Sequence, residues 1–148
     1  MSDAQLHMVA QWERDKEEQC ARTFQLAQQE LNQNQQKLKG LEQYRQDYLQ
    51  LAQNKASEGV NALHFNQHHA FIAKLDKACE QQMVMLNNLS AVAEQRKQFW
   101  LIQQRKRKAV EHLIQQKAQQ KEARLQRQEQ CLLDEHTMQQ FLRRRRSA

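Results

Sequence analysis

Asn54-Lys55-Ala56-Ser57-Glu58-Gly59-Val60-Asn61-Ala62-Leu63 is the one stretch of this chain that reads as a turn. Ser57 and Asn61 carry side chains that bond to nearby backbone, and Gly59 admits a positive φ. The chain has no proline, and its only other glycine, Gly40, stands alone inside a helical pattern. With one turn between two long periodic segments, 148 residues can fold back on themselves once. The expected architecture is all-α: a two-helix antiparallel coiled-coil hairpin with a long C-terminal helical overhang. Helix one is placed at about residues 3–53, the loop at about 54–63 and helix two at about 64–143, all in a single domain.

Composition agrees. Hydrophobic residues make up 39% and the mean hydropathy is −1.03, too polar for a thick globular core. Glutamine supplies about a fifth of the residues, and with Ala, Glu, Lys, Leu and Arg it marks a long solvated helix. Regular apolar spacing separates this from a disordered glutamine-rich tract. No run approaches the roughly 20 apolar residues of a membrane span, and the N-terminus carries no apolar signal core, so a cytoplasmic setting is expected. Cys20, Cys79 and Cys131 are odd in number and widely spaced, and read as small hydrophobes or free thiols.

Ser2 or Asp3 can cap helix one. Apolar residues then recur at Leu6, Val9, Trp12, Cys20, Phe24, Ala27, Leu31, Leu38, Leu41, Tyr44, Tyr48 and Leu51. From Cys20 to Leu38, with polar Asn34 between Leu31 and Leu38, the steps alternate four and three, the seam of a left-handed coiled coil. Two successive steps of three from Leu38 to Tyr44 predict a local slip, with Gly40 inside it permitting a close approach. The seam of helix two runs through Phe65, Ile72, Leu75, Cys79, Gln82 or Met83, Leu86, Leu89 and Ala93. Folding at Glu58 pairs Tyr44 with Ile72, Leu41 with Leu75, Tyr48 with His68, Leu31 with Leu86, Ala27 with Leu89 and Trp12 with Gln104 or Arg105. Helix one then ends opposite Lys108 to Ile114, and roughly 35 residues of helix two project beyond it.

The net charge is +6, concentrated late in the chain. Arg105, Lys106, Arg107 and Lys108 form one run, and Arg143, Arg144, Arg145 and Arg146 another, both suited to an acidic surface or simply to solvation. No nucleotide loop, nucleophile elbow or zinc-protease motif is present, and acid pairs such as Glu17-Glu18 lie on helix surfaces with no pocket to tune them. Catalysis and cofactors are therefore not expected. His64 and His68 share an i, i+4 spacing, but without a carboxylate or cysteine at ligand distance they and His69 read as polar residues near a bend rather than a metal site.

The aromatic residues beside the turn say more. Leu41, Tyr44 and Tyr48 lie on one side of helix one. Phe71, Leu75, Ala78 and Gln82 follow one another on helix two, with Phe71 and Ala78 displaced from the seam by about 100°. A two-helix hairpin cannot cover so many rings, so a semi-exposed aromatic stripe suited to protein docking is expected.

The pattern Leu41-x-x-Tyr44-x-x-x-Tyr48, a short glycine-containing break, then Phe71-Ile72-x-x-Leu75-x-x-Ala78-x-x-x-Gln82 resembles the flagellar export protein FliJ family. The resemblance implies a component of the bacterial type III export apparatus, a coiled-coil stalk similar to the central shaft of rotary ATPases. It implies binding to the export ATPase ring, to the cytoplasmic domain of the export-gate membrane protein and to the chaperones of export substrates, with only peripheral association with the membrane. The gate-docking residues it implies are Leu41, Tyr44, Tyr48, Phe71, Leu75, Ala78 and Gln82. The basic runs and chain ends are the expected contacts with the ATPase ring. Two other readings compete: a nucleic-acid-binding coiled coil and a plain structural scaffold. The first requires one dense basic block beside the best heptads, whereas the charges here are interrupted and lie far from them.

Overall fold

The computed structural model describes residues 2–59 and 62–147. Two helices account for its secondary structure, α1 (Asp3–Ser57) and α2 (Ala62–Ser147), packed against each other as an all-α hairpin. Among the described residues no helix is long and apolar enough to cross a membrane.

Ser2 caps α1. Its Oγ accepts from the Gln5 amide at 3.2 Å, while Gln5 Oε1 accepts from the Ser2 amide at 3.0 Å, a reciprocal capping box. At the other end α1 runs on through Ser57, past the expected stop at about residue 53. Nothing in Asn54–Ser57 opposes helix. The Ser57 hydroxyl folds back on the Asn54 carbonyl at 2.7 Å, and the Glu58 amide still reaches the Asn54 and Lys55 carbonyls. The helix stops where Gly59 turns left-handed at φ 80°, with its amide on the Ala56 carbonyl. Val60 and Asn61 lie outside the described residues, and with them the expected local bonding of Asn61.

The chain divides into two compact units, Lys16–Gln103 around the turn, and the residues up to Asp15 together with those from Gln104 onward. In the first unit a seam of at least half-buried side chains runs along α1 through Cys20, Phe24, Ala27, Leu31, Asn34, Leu38, Leu41, Arg45, Tyr48 and Ala52. Their steps alternate four and three throughout, so the predicted slip between Leu38 and Tyr44 does not occur. Arg45 takes the seam position that the sequence reading gave to Tyr44. Its aliphatic stem lies in the seam and its guanidinium pairs with Asp76. Leu51 is likewise exposed, and Ala52 replaces it. Gly40 permits no close approach, since a Cβ there would meet nothing within 4 Å. Gly40→Ala should therefore raise stability by about 1 kcal/mol through helix propensity alone, measurable as an upward shift in thermal midpoint.

The α2 seam keeps the same alternation through His68, Ile72, Leu75, Cys79, Gln82, Leu86, Leu89, Ala93, Arg96, Trp100 and Gln103. Gln82, not the exposed Met83, occupies the position left open between them. Tyr48 meets His68, as folding at Glu58 predicts, and Asn34 meets Gln82 in the same register. Further from the turn Phe24 stacks on Trp100 at 5.8 Å, further along α2 than that register gives.

In the second unit Leu6, Ala10 and Glu13 are buried, and the Val9 and Trp12 positions predicted for the seam are half-buried and exposed respectively. Arg14 reaches Glu111 at 3.0 Å, so the level of Trp12 lies further along α2 than the expected Gln104 or Arg105. With 86 residues against 55, α2 outlasts α1, and residues 124–147 are exposed throughout.

Candidate docking surface

Because Arg45 fills the seam, Tyr44 stands on the flank of α1, 51% exposed. Phe71 occupies the equivalent flank of α2, one residue before Ile72 of the seam. The two rings meet edge to face with centroids 6.1 Å apart. Tyr48 lies deeper. Its ring packs on Phe71 at 4.6 Å, and its hydroxyl shares a hydrogen bond of 2.7 Å with His68 Nδ1. Three aromatic rings and an imidazole thus form one continuous cluster that is covered beneath and open above.

The seven stripe residues divide by depth. Tyr44 is the exposed one. Leu41, Tyr48, Phe71 and Ala78 are half-buried. Leu75 is a core residue at 7% exposure, holding the floor of the patch rather than presenting a surface. Gln82 turns inward: its Nε2 donates to Asn34 Oδ1 at 2.9 Å and to the Asn34 carbonyl at 3.2 Å. Asn34, 7% exposed, in turn donates to the Glu30 carbonyl at 2.9 Å, so the amide of this covered seam residue is satisfied.

Closer to the turn lies an open groove of about 380 Å³, lined by Ala52, Lys55, Ala56, Phe65, His68, His69 and Ile72. The sequence suggested no concavity at all, so this groove is new. Phe65 does not close the seam; it is exposed and stacks on His69 at 5.5 Å. Among the described residues no group of three or more His, Cys, Asp or Glu side chains is placed to hold a metal ion.

The basic positions also divide. Arg105, Lys106 and Lys108 are exposed, but Arg107 lies in the seam, where its guanidinium meets Glu111 at 2.9 Å. Hydrogen bonds from Arg14 first and then Arg107 hold the Glu111 carboxyl below its ordinary value of 4.5. Arg143, Arg144, Arg145 and Arg146 are all exposed at the end of α2, where cations also complement the helix dipole. Arg45 is the residue that sequence reasoning missed. The signal was present in the strict alternation of four and three, which an arginine stem can satisfy and which a preference for aromatic core residues obscured.

A family model described as flagellar FliJ protein matches residues 1–146. No curated protein and no solved structure gives a significant match. The matched residues span both helices and the turn between them, with the Tyr44–Phe71 cluster and the basic runs inside the match. The chain belongs to the flagellar FliJ protein family and is a component of the flagellar export apparatus.

Proposed function

We propose that this protein is a coiled-coil stalk that docks on the cytoplasmic domain of the export gate, engages the export ATPase ring through its chain ends, and assists the handling of substrate–chaperone complexes. It works in the cytoplasm, held peripherally at the inner face of the cell membrane at the flagellar base. The observation that carries this reading is the aromatic cluster of Tyr44, Tyr48 and Phe71. It sits on the flank of the hairpin, and its outermost ring has no role in closing the seam. Leu41, Leu75, Ala78 and Gln82 complete the gate surface, with Leu75 and Gln82 shaping it from below.

The ring-facing end is assigned to Arg105, Lys106, Lys108 and the terminal Arg143–Arg146 run, with Arg107 acting through the seam. Exposed cations on a helix favour an acidic partner and lose that advantage as salt rises. Co-precipitation with the purified ATPase and gate domain tests both ends at once. Deleting residues 143–148 should weaken ATPase capture several-fold at low ionic strength, with the difference shrinking as salt is added, and leave gate capture unchanged. Equal ATPase capture by the truncated and full chains at low salt removes the tail from the interface.

A further inference from the structure

Arg45 holds a place in α1 that its neighbour could take. The seam passes Leu41, Arg45 and Tyr48 in steps of four and three, and Tyr44 stands one residue, about 100° around the helix, from that line. A half-exposed ring beside a seam gains by turning into it, since more of its apolar face then leaves water. The line through Leu38, Leu41, Tyr44 and Tyr48 has steps of three, three and four, which a coiled coil accommodates by overwinding locally. Over this turn two residues, an arginine and a tyrosine, therefore compete for one seam position.

The groups that favour the arginine are carboxylates. Arg45 Nε donates to Asp76 Oδ1 on α2, and Glu42 and Glu80 line the same recess. They hold the guanidinium at the rim while its stem fills the seam. We infer that Arg45 is a positioning residue for the docking surface: secured by Asp76, it keeps the seam position occupied and so holds Tyr44 on the flank, where its ring meets Phe71 edge to face. The functional side of this inference rests on the reading of Tyr44 and Phe71 as the gate surface. Losing Arg45 from the seam lets Tyr44 turn inward, which withdraws the outermost ring of that surface while both helices stay formed. A half-exposed ion pair adds little to stability, so its effect shows in where Tyr44 stands rather than in whether the hairpin folds.

The chain has two tyrosines, Tyr44 and Tyr48, so 3-fluorotyrosine labelling of the full chain gives two fluorine resonances, assigned with Tyr44→Phe. The displacement of each resonance between light and heavy water reports its exposure, and Tyr44 should show the larger one in the wild type. Arg45→Glu sets a further carboxylate among Asp76, Glu42 and Glu80 and drives the side chain out of the seam. It should cut the Tyr44 displacement by at least half and affinity for the gate domain at least tenfold, at unchanged helicity. Adding Asp76→Arg re-forms the pair with its charges exchanged and should restore both readings. Arg45→Leu fills the seam without a charge and should leave the Tyr44 displacement at the wild-type level. An unchanged Tyr44 resonance in Arg45→Glu, no recovery in the charge-exchanged variant, or an inward Tyr44 in Arg45→Leu would overturn the inference. A Tyr44 exposure that follows the variants as expected, with gate affinity constant throughout, would uphold the positioning and remove Tyr44 from the gate surface instead.

Discussion

Tyr44→Ala combined with Phe71→Ala is expected to abolish binding to the export-gate domain, and swimming with it, while the far-ultraviolet circular dichroism stays at the wild-type level. The expectation rests on where the two rings stand. Neither occupies a seam position; Arg45 and Ile72 do. Their removal therefore costs the hairpin only an edge-to-face contact and part of the ring packing on Tyr48, on the order of 1 kcal/mol. At an interface the same rings count for more, because an aromatic anchor desolvated by a partner is worth roughly 2 kcal/mol or above when truncated. Two such losses correspond to a fall in affinity of at least about a hundredfold even if they are not additive. Tyr48→Ala makes a less clean test, since it also removes the hydroxyl that bonds His68 and a ring from the seam. Titration calorimetry against the gate domain and swimming in soft agar measure the effect. A double variant that binds and swims normally removes this cluster from the docking surface.

Much of this was legible in the sequence, because a coiled coil writes its fold as a period. The single turn, the two helices and the flanking position of Phe71 all follow from counting residues in steps of three and four. What escaped was the chemistry of individual seam positions. A seam read only from apolar letters jumps from Leu41 to Tyr44 and calls for a slip; the chain instead uses the stem of Arg45 and keeps its period. Glu13 and Gln103 are covered seam residues for the same reason: a two-helix seam is narrow enough for a polar end to reach a partner or water. Asn54 to Ser57 look like loop residues in isolation. In context they extend a helix that has no reason to stop before Gly59. The groove beside Phe65 depends on how residues of both helices come together near the turn, and no periodicity encodes that.

The Asn34–Gln82 amide pair yields a second large effect, one of stability and pairing rather than binding. Gln82→Leu should lower the thermal midpoint by roughly 3–10 °C. It strips the donor from Asn34 Oδ1 and leaves a covered acceptor unpaired, at a cost of about 1–3 kcal/mol. Asn34→Leu should cost less, because Gln82 is only half-covered and its flexible amide can turn to water. The double variant, Asn34→Leu with Gln82→Leu, replaces both amides by apolar groups that suit the seam, and should recover the wild-type midpoint or exceed it. The consequence then appears in specificity. An amide layer in a coiled-coil seam opposes slipped registers and extra chains, since either would separate Asn34 from Gln82, whereas leucines accept many partners. Light scattering should accordingly find the wild type and Gln82→Leu monomeric and the double variant partly associated. A Gln82→Leu midpoint equal to the wild type would mean that water replaces the lost donor, and that this layer places no constraint on how the two helices pair.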